Sequence, residues 1–420
     1  MTTNRDIYVY IDWAGLETPI LMGVLNSKVV RGKEVFSFDS DRAWLKHNQC
    51  RMLDPDLGQF AGAQYLRDEK VNFGLFLDSA PDRWGRMLMK KREAILARAQ
   101  GRKPEPLFEA DYLLGVYDGN RMGTLRFKTN PDGAYMDDNK DLATPPWASI
   151  RDLEYASLQL EREDMDASEY AKWIGMLIAP GSSLGGARPK ANVVDKNGHL
   201  WIAKFPSRND TKDMGAWEMV TSELAKNCGI EVAESKAQRF LGTQHTFLSK
   251  RFDRSHTGAR IHFASAMTML GMTDGADHTT GAGYLSLAAF IMAHGADVGK
   301  NLKELWRRIV FNIAVSNCDD HLRNHGFLLT KRGWALSPAY DVNPDEYGSG
   351  LKLNISEDDN SLDFDLAMSV APYFRLSKEE AYSILLHVTT SVSQWRKVAL
   401  QYGISKYEQE LMESAFHLGV

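Results

Sequence analysis

Cysteine is scarce in this chain: Cys50, Cys228 and Cys318 are the three in 420 residues. They lie far apart and form no CxxC pair, which argues against a disulfide framework and against a cysteine zinc site. No run of about 18 apolar residues occurs, so no transmembrane helix and no membrane association are expected. The opening MTTNRDIYVYIDW lacks a basic segment followed by an apolar stretch of signal-peptide length. A cytoplasmic, reducing compartment is the expectation. Excess positive charge is also missing. Fifty Lys and Arg against 55 Asp and Glu leave a net charge of −5, so no global field favours nucleic acid. No internal repeat and no low-complexity tract interrupts the chain. Neither a Walker A loop nor a GxGxxG fingerprint is present.

What is there is ordinary globular protein, 44% hydrophobic and 25% charged. A chain of this length suggests two or three domains or lobes. IYVYIDW, GVLN and KVVRGKEVFSF read as short strands punctuated by turns. Residues 83 to 100 have helical spacing, with Met87, Ile95 and Leu96 as candidates for the apolar side and Lys and Arg opposite. The basic stretch there is either a solvated face or a docking surface for an acidic partner or nucleic acid. Residues 111 to 127 suggest a helix or strand followed by a hairpin around Asp118-Gly119-Asn120. A polar, turn-rich linker follows at about 128 to 146. Helices at about 149 to 178 precede the loop SSLGGARPK, and two apolar runs then flank Asn197-Gly198 as a hairpin. WEMVTSELAKNCGI is a helix with Gly229 as its C-cap, and AQRFLGTQHTFLSKRFD reads as two strands. Beyond about residue 283 the pattern is mainly helical, broken by one hairpin at Arg332-Gly333. These patterns predict an α+β fold. A β-rich subdomain spans 1–140, a sheet with one helix spans 141–255, and a mainly helical lobe spans 256–420.

The residues that carry chemistry begin with Asn317-Cys318-Asp319-Asp320-His321-Leu322-Arg323-Asn324, placed just beyond an apolar helix. Phosphoryl transfer needs a carboxylate to orient the attacking hydroxyl and an oxygen ligand for magnesium close by. Asp319 and Asn324 have the Asp-x-x-x-x-Asn spacing that supplies both in protein kinases. Asp341, after the following hairpin, fits the second metal-binding carboxylate, although Phe-Gly does not follow it. Taken singly, any such Asp is more often a cap or a turn residue. Upstream, the glycines of the SSLGGARPK loop let backbone N–H groups approach phosphate, with Ser hydroxyls and a Lys as further donors. Alone, that loop is more often an ordinary turn. Lys204 sits in an apolar strand pattern, and its charge either snorkels to solvent or reaches phosphates and pairs with a helix Glu, for which Glu218 is the candidate. His321 and His325 are four apart, as zinc ligands on a helix would be, but Leu322 stands where HExxH has its Glu. His321 is therefore expected to hydrogen-bond within the loop and His325 to pack or cap.

SSLGGARPK, WIAKFPS, FLSKRFDR, NCDDHLRNHGF and SPAYD occur in the order found in HipA-type kinases, and FLDSAPDRWGRMLMKKR resembles a stretch of their N-terminal region. The resemblance implies a two-lobed, protein-kinase-like fold and an ATP- and Mg2+-dependent Ser/Thr protein kinase of a toxin–antitoxin system. By motif match Asp319 is the catalytic base and Asn324 and Asp341 hold magnesium. Ser183, Gly185, Gly186, Ala187 and Lys190 belong to the phosphate loop, and Lys204 binds the nucleotide phosphates. His321, in the same loop as Asp319, is counted among the cofactor-binding residues, and Lys250 to Phe252 form a hinge beside adenine. Ser183 matches the autophosphorylated Ser whose modification switches the kinase off. The implied partners are a protein substrate, such as glutamyl-tRNA synthetase or another translation factor, and a helix-turn-helix antitoxin of HipB type, with operator DNA bound mainly through the antitoxin. The alternative is a non-toxic member or pseudokinase that acts with such an antitoxin in transcriptional autoregulation.

Overall fold

The computed structural model describes residues 4–47, 50–67, 70–136, 144–162, 167–178 and 186–418. The chain divides into two compact units. The first is 1–208 with 253–264, and the second is 209–252 with 265–420.

In the first unit a five-stranded antiparallel sheet runs in the order β4-β3-β2-β1-β5. Its strands are β1 (Asn4–Ile11), β2 (Ile20–Val30), β3 (Lys33–Ser40), β4 (Ala63–Tyr65) and β5 (Leu125–Lys128). GVLN and KVV are thus one long strand, and Arg31-Gly32 makes the tight turn into β3 with φ of 50° and 78°. Alternation sets the buried face: Ile7, Val9, Ile11, Leu25, Phe36, Phe38, Leu125 and Phe127 are all inside.

The hairpin expected at Asp118-Gly119-Asn120 is absent. Those residues form a short 3-10 turn, and among the described residues β5 pairs only with β1, at the sheet's far edge. The turn's carbonyls are held from 253–264, where Arg260 donates to Asp118 O at 2.7 Å and Arg254 to Gly119 O at 3.2 Å, while the fully buried Arg121 beside it donates to the carbonyls of Ser79, Leu113 and Val116. The segment 253–264 completes this unit. The buried Asp253 carboxylate accepts from Gly123 N–H at 2.9 Å, and His262 Nδ1 lies 2.8 Å from Thr124 Oγ1.

The helix Arg83–Ala99 is present, but its apolar stripe is one position out of the expected phase. Trp84, Leu88 and Ala97 are buried while Leu96 is 42% exposed. Asp82 caps it, accepting Gly85 N–H at 2.8 Å. Helices Ile150–Leu160 and Ala167–Ile178 follow, then strands Lys190–Val194 and Leu200–Lys204, paired antiparallel across the Asn197-Gly198 turn.

The second unit opens with the helix Met214–Asn227, ended by Gly229 at φ +77°. The N–H groups of Gly229 and Ile230 return to the carbonyls of Lys226 and Ala225, the paired closure that a left-handed residue permits. Strands Ser235–Gln238 and Thr246–Lys250 pair antiparallel, and Gly326–Thr330 pairs with Gly333–Leu336. The bulk is helical: Tyr284–His294, Val298–Ala314, Lys378–Val392 and shorter segments. The Val298–Ala314 helix forms the centre of this core, with Leu302, Leu305, Trp306, Ile309 and Val310 all fully buried.

Candidate functional site

The central helix stops at Ala314, and the stop is specific. Ser316 adopts φ +47°, its N–H returns to Ile313 O, and Asn317 N–H returns to Asn312 O at 2.9 Å. This closure is usually made by glycine, and it swings the chain into the segment 317–325. That segment is not helical, so the i, i+4 argument for His321 and His325 as paired ligands falls.

Asp319 is exposed, and its carboxylate makes no hydrogen bond among the described residues. Its carbonyl accepts the N–H of His321 at 2.9 Å and Asn324 Nδ2 at 2.9 Å. Asn324 N–H in turn donates to His321 O at 2.8 Å. The loop therefore folds back on itself and brings Asn324, which is 8% exposed, against the backbone of Asp319. With Nδ2 committed, Asn324 Oδ1 is left as the acceptor. His321 bonds through its backbone as expected, while its buried Nδ1 has no partner among the described residues.

Asp320 is the opposite of its neighbour. It is 2% exposed, accepts from the Tyr284 hydroxyl, and takes Asn312 Nδ2 at 2.8 Å. His325 Nε2 lies 2.7 Å from its other oxygen, a close polar contact outside hydrogen-bond alignment, and the His325 ring packs edge-on to Tyr284.

Asp341 also adopts a left-handed conformation, φ +56°, uncommon for a residue with a side chain. Its turn is pinned three ways. Asn343 N–H donates to Asn317 Oδ1 at 3.2 Å, Val342 O accepts Thr221 Oγ1 at 2.6 Å, and Asp345 N–H donates to Ser316 O at 3.1 Å. Tyr340 donates to Arg323 O at 2.7 Å. Asp341, Tyr340 and the buried Glu218 line one small recess with Ser222, Ser235 and Ser249. Tyr340 also faces Phe252, ring centres 5.4 Å apart. The second unit thus holds Asp319, Asn324, Asp341, His321 and Phe252 on interlocked turns.

Lys250 is in the same unit, but its N–H is committed to Glu234 O at 2.8 Å and its ammonium lies 3.4 Å from the Glu234 carboxylate. Any hinge contact from this residue would have to use its carbonyl.

Gly186, Ala187, Lys190 and Lys204 belong to the first unit, whereas Ser183 and Gly185 lie outside the described residues. Gly186 and Ala187 are exposed. Lys190 and Lys204 are directly opposed across their hairpin, an arrangement in which like charges repel. Lys190 is buried against Asp82, Nζ to Oδ2 3.1 Å, and also donates to Gly186 O at 3.0 Å. Trp84 Nε1 donates to Lys190 O at 3.1 Å. Sequence reasoning assigned no role to Asp82 and Trp84, although both stand in the DSAPDRWGR stretch. The structure gives them one, at the base of the SSLGGARPK loop. Arg86 of the same stretch forms a two-pronged pair with Glu109 at 2.6 and 2.7 Å.

An exposed carboxylate beside a fixed amide, with a second carboxylate on a pinned turn, offers hard oxygen donors and a proton acceptor. No group of three or more His, Cys, Asp and Glu placed to hold a metal occurs among the described residues. No helix among them is long and apolar enough to cross a membrane.

Comparison with known proteins agrees with this architecture. The chain is similar in fold to HipA in the Shewanella oneidensis complex of HipA, HipB and operator DNA. The TM-score is 0.66 and the identity 15%, covering 97% of this chain and 94% of that one, a likeness of fold. Two curated relatives, each named only provisionally as a kinase, come from Haemophilus influenzae and Sinorhizobium fredii. The first is 28% identical over 179 residues and the second 28% over 195, covering 38% and 44% of this chain. The chain spans about half the length of those relatives, 52% and 44%. Residues 182–395, which carry Asp319, Asn324 and Asp341, match the HipA-like C-terminal domain, and the chain belongs to that family.

Proposed function

We propose that the protein is an ATP-dependent Ser/Thr protein kinase of the HipA type. The observation that carries this reading is the Asp319 carboxylate, exposed and unbonded among the described residues, with Asn324 held 2.9 Å from its backbone carbonyl. In this reading Asp319 orients the substrate hydroxyl and accepts its proton. Asn324 Oδ1 and the Asp341 carboxylate fit magnesium. They are hard oxygen donors, and two of them suffice for an ion that takes its remaining ligands from phosphates and water. Bound there, the ion would neutralise charge on the phosphates being cleaved. By the family resemblance, Lys204 and the glycine-rich loop at Gly186 and Ala187 are assigned to nucleotide phosphates. Phe252 and Tyr340 offer an aromatic wall to adenine. Lys190 is tied to Asp82, so its part is to hold the loop's base rather than to touch phosphate. Phosphorylation of Ser183 would place nearly two negative charges in the loop and oppose nucleotide binding. By analogy with the Shewanella complex, the partners are a HipB-type antitoxin and, through it, operator DNA. A translation factor such as an aminoacyl-tRNA synthetase is the proposed substrate.

The test is incubation with Mg-ATP and peptide mass spectrometry beside Asp319→Asn. Phosphate in the parent alone, at Ser183 or on an added substrate, supports the reading. Equal labelling in both proteins removes Asp319 from the mechanism. ATP binding without any transfer makes the chain a binding module.

A further inference from the structure

Between the two segments that carry Asp319 and Asp341 runs a line of buried side chains that the proposed mechanism does not use. It begins at Asp320. Asn312 Nδ2 donates to the Asp320 carboxylate at 2.8 Å and to the Tyr284 hydroxyl at 3.0 Å. Asn317 Nδ2 donates to Asn312 Oδ1 at 3.1 Å, and Asn343 N–H donates to Asn317 Oδ1 at 3.2 Å. Asn343 is two residues past Asp341. Asp320, Asn312 and Asn317 are between 2% and 4% exposed, so water does not compete for these bonds.

The direction of the chain is forced. A carboxylate only accepts, so Asn312 must turn its NH2 toward Asp320 and its oxygen toward Asn317. Asn317 must then turn its own NH2 back toward Asn312. Its oxygen is left facing the Asn343 N–H, the one donor there that cannot be reversed. An amide's two ends are otherwise interchangeable. Here a fixed acceptor at one end and a fixed donor at the other select a single arrangement.

We propose that Asp320 is a positioning residue: through Asn312 and Asn317 it clamps the turn that holds Asp341 in its left-handed conformation, fixing that carboxylate relative to the Asp319 loop. The clamp's meaning for catalysis rests on the reading of Asp341 as a metal ligand, but its existence does not. A neutral amide at 320 can present NH2 to Asn312, and the line is then fixed only at its Asn343 end. The Asp341 turn, in a conformation a side chain disfavours, then loses a restraint.

Hydrogen exchange measured by NMR on the full chain reads the clamp directly, without any activity. In Asp320→Asn the Asn343 amide is expected to exchange about tenfold faster or more, the scale of one lost hydrogen bond, while protection in the Val298–Ala314 helix is kept. Asn317→Ser, which leaves the buried Asp320 contacts intact but is too short to span Asn312 and Asn343, should do the same. It carries the test alone if Asp320→Asn does not fold. Unchanged Asn343 exchange in either folded variant overturns the proposal. In the phosphotransfer assay both variants should need a higher Mg2+ concentration for half-maximal rate, with little change in KM for a peptide substrate. A parent that transfers no phosphate sinks the kinase reading and leaves the exchange result standing.

Discussion

Two adjacent aspartates have opposite fates. Asp319 faces outward without a partner among the described residues; Asp320 is buried under Tyr284, Asn312 and His325. Asp-x-x-x-x-Asn was legible because spacing is local. Asp320's place was not, because its partner Tyr284 stands 36 residues away and only the folded core joins them. Ser316 is a second residue without a signal, a serine where glycine would be read as a helix stop. Its left-handed backbone costs about 1 kcal/mol, and its buried hydroxyl has no partner among the described residues. Ser316→Gly is therefore expected to raise stability by about 1 kcal/mol in denaturant titration. A third case is Asp54, 1% exposed, whose carboxyl is pushed up from 3.8 to about 6 by burial, against the pull of the Leu75 and Asp56 N–H groups. Between those values the folded state binds more protons than the unfolded one. Its favourable contribution is present below about pH 4 and fades by about pH 6, amounting to about 3 kcal/mol. Asp54→Asn should gain stability relative to the parent as pH rises across that window, then show no further change.

At the scale of elements, composition and period did well where an element answers to its own residues. The strands flanking Asn197-Gly198, the helix ending before Gly229 and the hairpin at Arg332-Gly333 stand where the patterns put them. The patterns failed where a distant partner decides. Asp118-Gly119-Asn120 has good turn chemistry, yet β5 finds its partner in β1 and the turn's carbonyls are held by Arg254 and Arg260, more than 130 residues on. The helix Arg83–Ala99 has two candidate apolar faces, and only packing chose Trp84 and Leu88 over Leu96. Close packing also explains a glycine that helix propensity would reject. A Cβ on Gly215 would stand 2.0 Å from His245 O, so the first turn of the Met214–Asn227 helix presses directly on backbone beside the Thr246–Lys250 strand. Gly215→Ala should lower stability by about 3 kcal/mol, measured by thermal unfolding, because rigid backbone must move.

At the scale of the whole molecule, an α+β chain was legible from the order of strand and helix patterns. The division into 1–208 with 253–264, and 209–252 with 265–420, was not, since no composition shift marks a segment that leaves one unit to complete the other. Asp253, Arg260 and His262 bring a buried carboxylate, a guanidinium and an imidazole into the first unit. Arg260 reaches the Asp118 carboxylate at 3.2 Å, and His262, wholly buried, is held down at about 3 by desolvation. A fragment ending at residue 208 lacks all of them. It is expected to show no cooperative unfolding transition by circular dichroism, and addition of a 253–264 peptide should restore one.

The same interleaving has a consequence for synthesis. A ribosome delivers the chain from its N-terminus, so the first unit cannot close when its own residues have emerged. It must wait for 56 more, from 209 to 264, roughly 3–10 s of elongation. During that interval the Gly123 amide and the Thr124 hydroxyl lack their eventual partners, and the incomplete unit is a natural client for a chaperone at the exit tunnel.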